Sequence, residues 1–192
     1  KQGNANFSSG EFSGSQDKSV DIHGAGSFSQ TKQGNADFSS GEFSVSKNKS
    51  ADVYGVGGGS ESKQANADFS SGEFSAGRQR EGHIDGVGGA SETKQGNADF
   101  SSGEFSAGGT RKGNLGDFAS AEAGAGGTTN FNSDGNITVK TNVHGGADVG
   151  GVEVEFGGGA DVSAGAGGFQ TDNQVNGDIA GVKLGATATT NF

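Results

Sequence analysis

Lys32-Gln33-Gly34-Asn35-Ala36-Asp37-Phe38-Ser39-Ser40-Gly41-Glu42-Phe43-Ser44 is the stretch that decides the fold. It begins at Lys1, Lys32, Lys63 and Lys94, each start 31 residues after the last, and eleven of its thirteen positions are identical in all four copies. A fixed period of this size marks a fold laid down from one repeated supersecondary unit. Inside the stretch, Ala36 to Ser39 alternates in polarity, Ser40-Gly41 supplies a turn, and Glu42 to Val45 alternates again. The second half of the repeat adds Ala51-Asp52-Val53-Tyr54 and a Gly-rich bend. Gly is frequent throughout and no 3.6-residue period appears, so helix is excluded and the chain reads as all-β. Two short strands and two Gly-rich corners predict a stacked β-arch or β-solenoid, an amyloid-like cross-β fold with one 31-residue repeat per rung.

Working outward, the repeats occupy 1–31, 32–62, 63–93 and 94–124. Their second halves align once apolar positions are matched: Ile22, Val53, Ile84 and Leu115 share a column, and Ala25, Val56, Val87 and Phe118 another. One more step of 31 brings Phe131 under Phe100 and Val149 under Phe118. Residues 125–192 therefore read as degenerate rungs, a cap or a hairpin module, since terminal units of repeat arrays are commonly atypical. Asp134-Gly135 and Asn176-Gly177 are short-range hairpin signals within that tail.

Composition narrows the function. Only 29% of the 192 residues are hydrophobic and 40 are Gly, which alone would suggest a disordered linker. Pro is absent, although average usage would place about ten in such a length, and a continuous β ladder excludes Pro. Without Cys, neither a disulfide framework nor a thiolate metal site can form. Lys1 stands where an initiator Met would be, the expectation for a chain processed by signal-peptide removal and equally for a fragment cut from a larger protein. No run of eighteen apolar residues exists to span a membrane as a helix. The net charge of −10 argues against nucleic acid and anionic membranes as partners.

If rungs stack in register at about 4.8 Å, like residues fall over like residues. Phe7, Phe38, Phe69 and Phe100 then form one aromatic column, and Phe12, Phe43, Phe74 and Phe105 a second. With Ile22, Val53, Ile84 and Leu115 they make the predicted stacking core, while Asn4, Asn35, Asn66 and Asn97 make an amide ladder. Glu11, Glu42, Glu73 and Glu104 would repel at each step by about 0.9 kcal/mol in water and about 3.5 kcal/mol at an effective dielectric of 20. They must therefore face solvent, opposite the Phe columns, as strand alternation allows. Asp37, Asp68 and Asp99 need the same face, and the Lys1, Lys32, Lys63 and Lys94 column is expected to offset part of that charge. The acidic ladder reads first as a solvated face and second as a weak Ca²⁺ site; no other cofactor is expected.

Nothing in the chain spells an active site. His23 and His83 fall in different repeat columns, and His144 lies in the tail. The Gly runs at 57–59 and 157–159 lack the Lys-Ser/Thr of a phosphate loop. Aromatic residues interleaved with basic ones, the signature of single-strand nucleic-acid binders, are missing. An enzyme is not expected, and no catalytic or metal-ligating residue is nominated.

The imperfect Gly/Asn/Ser-rich repeats, the regular apolar columns, the Pro-free repeats and the aromatic end after Ala186-Thr187-Ala188-Thr189-Thr190-Asn191 resemble the secreted functional amyloids of bacteria, the curlins and Fap fibre subunits. The resemblance is one of type and covers mainly Lys1 to Gly124; the curlin spacing of Ser, Gln, Gly and Asn is absent. It implies secretion, nucleated assembly outside the cell, and a role in biofilm matrix or adhesion. The function expected is a self-assembling extracellular fibre subunit whose main partner is itself, with any nucleator or secretion partner unidentified. The alternatives are a monomeric β-solenoid that binds ice, glycan or mineral, and a disordered Gly-rich matrix protein.

Overall fold

The computed structural model describes residues 1–192. It contains no helix and thirteen strands: β1 Gln2–Asn6, β2 Glu11–Ile22, β3 Gly26–Asp37, β4 Glu42–Val53, β5 Gly57–Asp68, β6 Glu73–Ile84, β7 Gly88–Asp99, β8 Glu104–Leu115, β9 Ala119–Phe131, β10 Ile137–Val149, β11 Val152–Gly165, β12 Gly168–Ile179 and β13 Val182–Asn191. Each strand pairs antiparallel with its sequence neighbours alone, so one open sheet runs in chain order from β1 to β13. The all-β expectation is met. The rung is replaced by a hairpin: each repeat contributes two long strands to a meander.

The corners explain the difference. Asp37 closes β3, and Gly41 reverses the chain at φ 81°, in the left-handed region that glycine adopts without steric cost. Asp37 then lies opposite Glu42, and the pairing runs on to Gly26 opposite Val53. At the other rim Gly55 turns the chain at φ 74° and Val53 pairs with Gly57. Both corners are tight reversals, so consecutive strands lie side by side and cannot open into an arch. Identical residues of successive repeats sit two strands apart, roughly 9.6 Å, twice the spacing that in-register rungs would give.

The turns form their own rows. Phe38 donates its backbone N–H to Gly10 at 3.0 Å, Phe69 to Gly41 at 3.0 Å, Phe100 to Gly72 at 3.0 Å and Phe131 to Gly103 at 2.9 Å. At the opposite rim Tyr54 donates to Ala25 at 3.0 Å and Asp85 to Val56 at 2.9 Å. Each turn thus satisfies polar backbone groups of the next turn on its rim, and 155 backbone–backbone hydrogen bonds hold 192 residues. That exceeds the roughly two-thirds of a bond per residue usual in globular proteins.

What the sheet lacks is a core. Three residues are buried and none is hydrophobic. All three are glycines: Gly26, Gly57 and Gly145. Gly57 has φ 140°, and a Cβ built there would strike the His83 carbonyl on the neighbouring strand. Gly57→Ala is therefore expected to lower unfolding free energy by about 1–3 kcal/mol, the cost of forcing a side chain into glycine-only backbone. Urea denaturation tests this, and a change below about 0.5 kcal/mol would remove the close-approach explanation.

Residues 125–192 join the same sheet. Strand β9 crosses the 124/125 boundary, and the four remaining strands continue the meander. The Asp134-Gly135 turn forms, closed by Asn132, whose side chain accepts from the N–H of Asp134 at 3.1 Å and of Asn136 at 2.9 Å. Asn176-Gly177 is not a turn. Gly177 lies within β12, between Phe156 and Leu184 on the flanking strands. The chain reverses instead at Ala180-Gly181, with φ 50° and 87°. There Asp178 accepts from the Gly181 N–H at 2.7 Å.

Candidate functional site

Strand alternation gives this single layer two unlike faces. On one, the register runs Phe12, Ala36, Phe43, Ala67, Phe74, Ala98, Phe105 across seven strands. The turn residues Phe7, Phe38, Phe69 and Phe100 reach onto the same face and interleave with the strand Phe. The two predicted columns become one ladder: Phe7–Phe12–Phe38–Phe43–Phe69–Phe74–Phe100–Phe105, each ring meeting the next edge-on at 5.2–5.5 Å. Phe131 extends it, 5.9 Å from Phe105 at 82°. Edge-to-face geometry sets the positive rim of one ring against the negative face of the next.

The ladder is not a buried core. Phe38, Phe69 and Phe100 remain 64–65% exposed. Ile22, Val53, Ile84 and Leu115 stand at the far rim on the same face, each more than half exposed. Their cross-strand neighbours are Gly26, Gly57, Gly88 and Ala119 rather than one another. The stacking-core assignment is therefore corrected: the residues share a face, but a second layer would be needed to bury them.

On the opposite face the acidic residues form an unbroken row. Glu11, Asp37, Glu42, Asp68, Glu73, Asp99 and Glu104 are successive cross-strand partners. Glu lies on the face opposite the strand Phe, and the Glu-on-Glu stack is replaced by a row in which Asp alternates with Glu. Asp68 accepts from the Ser70 N–H at 2.8 Å and hydroxyl at 2.6 Å, and from the Ser71 N–H at 3.2 Å and hydroxyl at 2.8 Å. Those hydroxyls, Ser70 first, hold its carboxyl at about 2. Ser39 does the same for Asp37, hydroxyl before N–H, again to about 2. Ser101 and then Ser102 push Asp99 well below the usual carboxylate range. In the first repeat Asn6 replaces the Asp and accepts from the Ser8 N–H at 3.1 Å and hydroxyl at 2.7 Å.

The amide ladder is also redirected. Asn35, Asn66 and Asn97 donate to Ser44, Ser75 and Ser106 on the next strand at 3.2–3.3 Å. Asn4 lies across from Ser13 in the same row. No Asn stacks on another, because the meander places a Ser-bearing strand between them.

The Lys column does not offset the acids. Lys32, Lys47, Lys63, Arg78 and Lys94 are direct cross-strand partners on the Phe face. Lys49, then burial, then Lys32 and Lys63 lower the Lys47 ammonium from its ordinary value. Two positions further along, Lys49, Glu61, Arg80, Glu92 and Arg111 alternate in sign. Glu61 accepts from Arg78 at 2.5 Å and Arg80 at 2.9 Å, and Glu92 meets Arg111 at 2.9 Å and Lys94 at 3.2 Å. Arg80 chiefly lowers Glu61, and Arg111 chiefly lowers Glu92. The cation row was legible in the repeat, because Lys32, Lys63 and Lys94 share a column. Lys47 and Arg78 joined it only through the antiparallel register.

His83 lies 3.4 Å from Asp85 at one rim, while His23 and His144 are far apart along the sheet. No three His, Cys, Asp or Glu side chains converge to hold a metal ion, and the acidic row is strung across seven strands. No helix is long and apolar enough to cross a membrane. No protein-family model matches this chain, and neither a curated protein nor a solved structure matches it.

Proposed function

We propose that the protein is a structural subunit that assembles with copies of itself into a cross-β extracellular fibre. The exposed Phe ladder on a one-layer sheet carries this reading. Domains are built from at least two packed layers, because one layer leaves an apolar face in water. Monomeric proteins rarely expose contiguous apolar patches beyond about 300–600 Å². Completing the burial of a Phe contributes up to roughly 1.5–3 kcal/mol, whereas an exposed ion pair contributes about 0–1 kcal/mol. Apolar burial therefore drives association, and the acidic face keeps unassembled subunits dispersed. Every repeat is the same hairpin, so the pairing rule that builds the sheet inside one chain can continue between chains.

The reading requires a meridional reflection at about 4.7–4.8 Å from aligned assemblies; a urea-labile monomer without that reflection overturns it. Glu42→Gln removes one charge from the middle of the acidic row, so the assembly lag should shorten. A longer lag would mean that the row promotes assembly. The likeness of the repeats to curlins and Fap subunits supports a place outside the cell, in a biofilm matrix or adhesion. The evenly spaced Asn–Ser row favours a second reading, a monomer that lays its polar face on ice, glycan or mineral. Sedimentation as a monomer, with retention on one of those surfaces, would select it.

A further inference from the structure

We infer that the apolar face of β9–β13 packs on the same face of a second copy, turned over about an axis along β11. The inference rests on the self-assembly reading and names the contact that gives this part of the sheet its second layer. On the side of the sheet that carries the Phe ladder, the cation rows stop at Arg111 in β8. Beyond it, that side carries no charge. Its cross-strand rows include Ala125–Val143–Gly158–Val175–Ala186 and Ala123–Gly145–Phe156–Gly177–Leu184, and Asn173 is its one amide. Every charged side chain of β9–β13 stands on the other face. Val143, Phe156, Val175 and Leu184 are each more than half exposed. Five strands about 4.8 Å apart, each about twelve residues long at about 3.3 Å per residue, present roughly 950 Å² per copy. Two copies together would cover about 1,900 Å², within the range of about 1,200–2,000 Å² typical of stable interfaces.

Charge selects the axis. A turn about the cross-strand direction would lay β4 on the partner's β4 and bring the two cation rows together. A turn about β11 sets β9 over the partner's β13 and β10 over the partner's β12, and leaves both cationic halves outside the contact. Shape agrees with that axis. The Phe156 ring lies over Gly145, where a Cβ would strike it. In the turned pair that ring is faced by the partner's Gly177. Outside its chain neighbours, the only atom within 4 Å of a Cβ built on Gly177 is the Glu155 carbonyl oxygen at 3.4 Å, so no side chain fills the space the ring needs. Asn173 falls opposite the partner's Thr141, a hydroxyl that donates to its own Ala160 carbonyl at 3.2 Å and keeps lone pairs to accept the amide. The pair closes on itself and keeps both acidic faces outward. Fibre growth is left to the ladder from Phe7 to Phe105 and to the strand edges, which the pair does not cover.

Sedimentation of the full chain before fibres form tests the pairing. The wild type should be a dimer at micromolar concentration. Val175→Lys should weaken the pair by about 100-fold or more, because the facing Val143 leaves the new charge buried and unpaired. Gly177→Leu should also separate the copies, by filling the space that faces the partner's ring. Gln174→Lys, on the acidic face, should leave the dimer intact. All three should keep the wild-type far-UV spectrum, since the sheet itself is untouched. The axis has its own test. Val143→Glu and Val175→Lys proteins should each be monomeric alone and pair when mixed, because β10 of one copy lies over β12 of the other. A wild type that sediments as a monomer, a Val175→Lys protein that still pairs, or a mixture that stays monomeric overturns the inference. Fibres with the cross-β reflection from a chain that never forms the pair sink this inference alone. A chain that pairs and yields no such reflection sinks the fibre reading alone.

Discussion

Phe69→Asp is expected to abolish fibre formation, and Phe69→Ala to lower the unfolding free energy of the sheet by about 1–3 kcal/mol. Phe69 is met edge-on by Phe43 at 5.4 Å and by Phe74 at 5.2 Å. Each such contact is worth about 0.5–1.5 kcal/mol beyond the area it covers, so Ala removes two. The terminal ring Phe7 meets only Phe12, at 5.5 Å, and Phe7→Ala should cost about half as much. A double-mutant cycle on Phe43 and Phe69 should return a coupling near one contact, because the two rings touch. Phe69→Asp adds a carboxylate to the Phe ladder, one residue from Asp68. Equal costs at Phe7 and Phe69 would deny the ladder any energetic role, and fibres from Phe69→Asp at the wild-type rate would take the ladder out of assembly.

Acid is the second large lever. Asp37 and Asp68 are held at about 2 in the folded state by serine hydrogen bonds. An unfolded Asp titrates near about 3.9. The folded value is depressed, so the stabilisation is fully present above the unfolded value and is lost as pH falls from about 4 through about 2. Urea midpoints should be flat above about pH 5 and drop steeply below about pH 4. The triple change Asp37→Asn, Asp68→Asn, Asp99→Asn should remove most of that slope at little cost near neutrality, because Asn6 already caps the first turn through a neutral amide. Asp→Ala at the three positions should lower the midpoint at every pH. A triple-Asn protein that keeps the wild-type acid transition would place it elsewhere, with the four glutamates of the acidic row, Glu11, Glu42, Glu73 and Glu104, the next group to test.

Much of this was legible in the chain. The 31-residue period, the strand beginning at Glu42 and the turn at Ser40-Gly41 appear in the structure at the expected residues, whereas Phe38 and Ser39, read as strand, lie in the turn that follows Asp37. The separation of Phe43 from Glu42 onto opposite faces also appears, because alternation is a property of one strand and needs no partner. The Asn176-Gly177 hairpin failed for a related reason. A turn dipeptide competes with strand pairing on both sides, and Gly177 is held between Phe156 and Leu184 while Ala180-Gly181 takes the reversal.

The sequence by itself determined the unit, its length and the opposite faces of Phe43 and Glu42. Only the tertiary structure decided the neighbours. A repeat of two strands can stack on itself or fold as a hairpin, and both satisfy the same alternation. The tight reversals at Gly41 and Gly55 select the hairpin, and the antiparallel register then sets Phe12 beside Phe38, Asp37 beside Glu42, and Lys32 beside Lys47. Partner choice lies in backbone hydrogen bonds between strands, which local polarity cannot encode. For that reason the columns read from the repeat became mixed rows in the sheet.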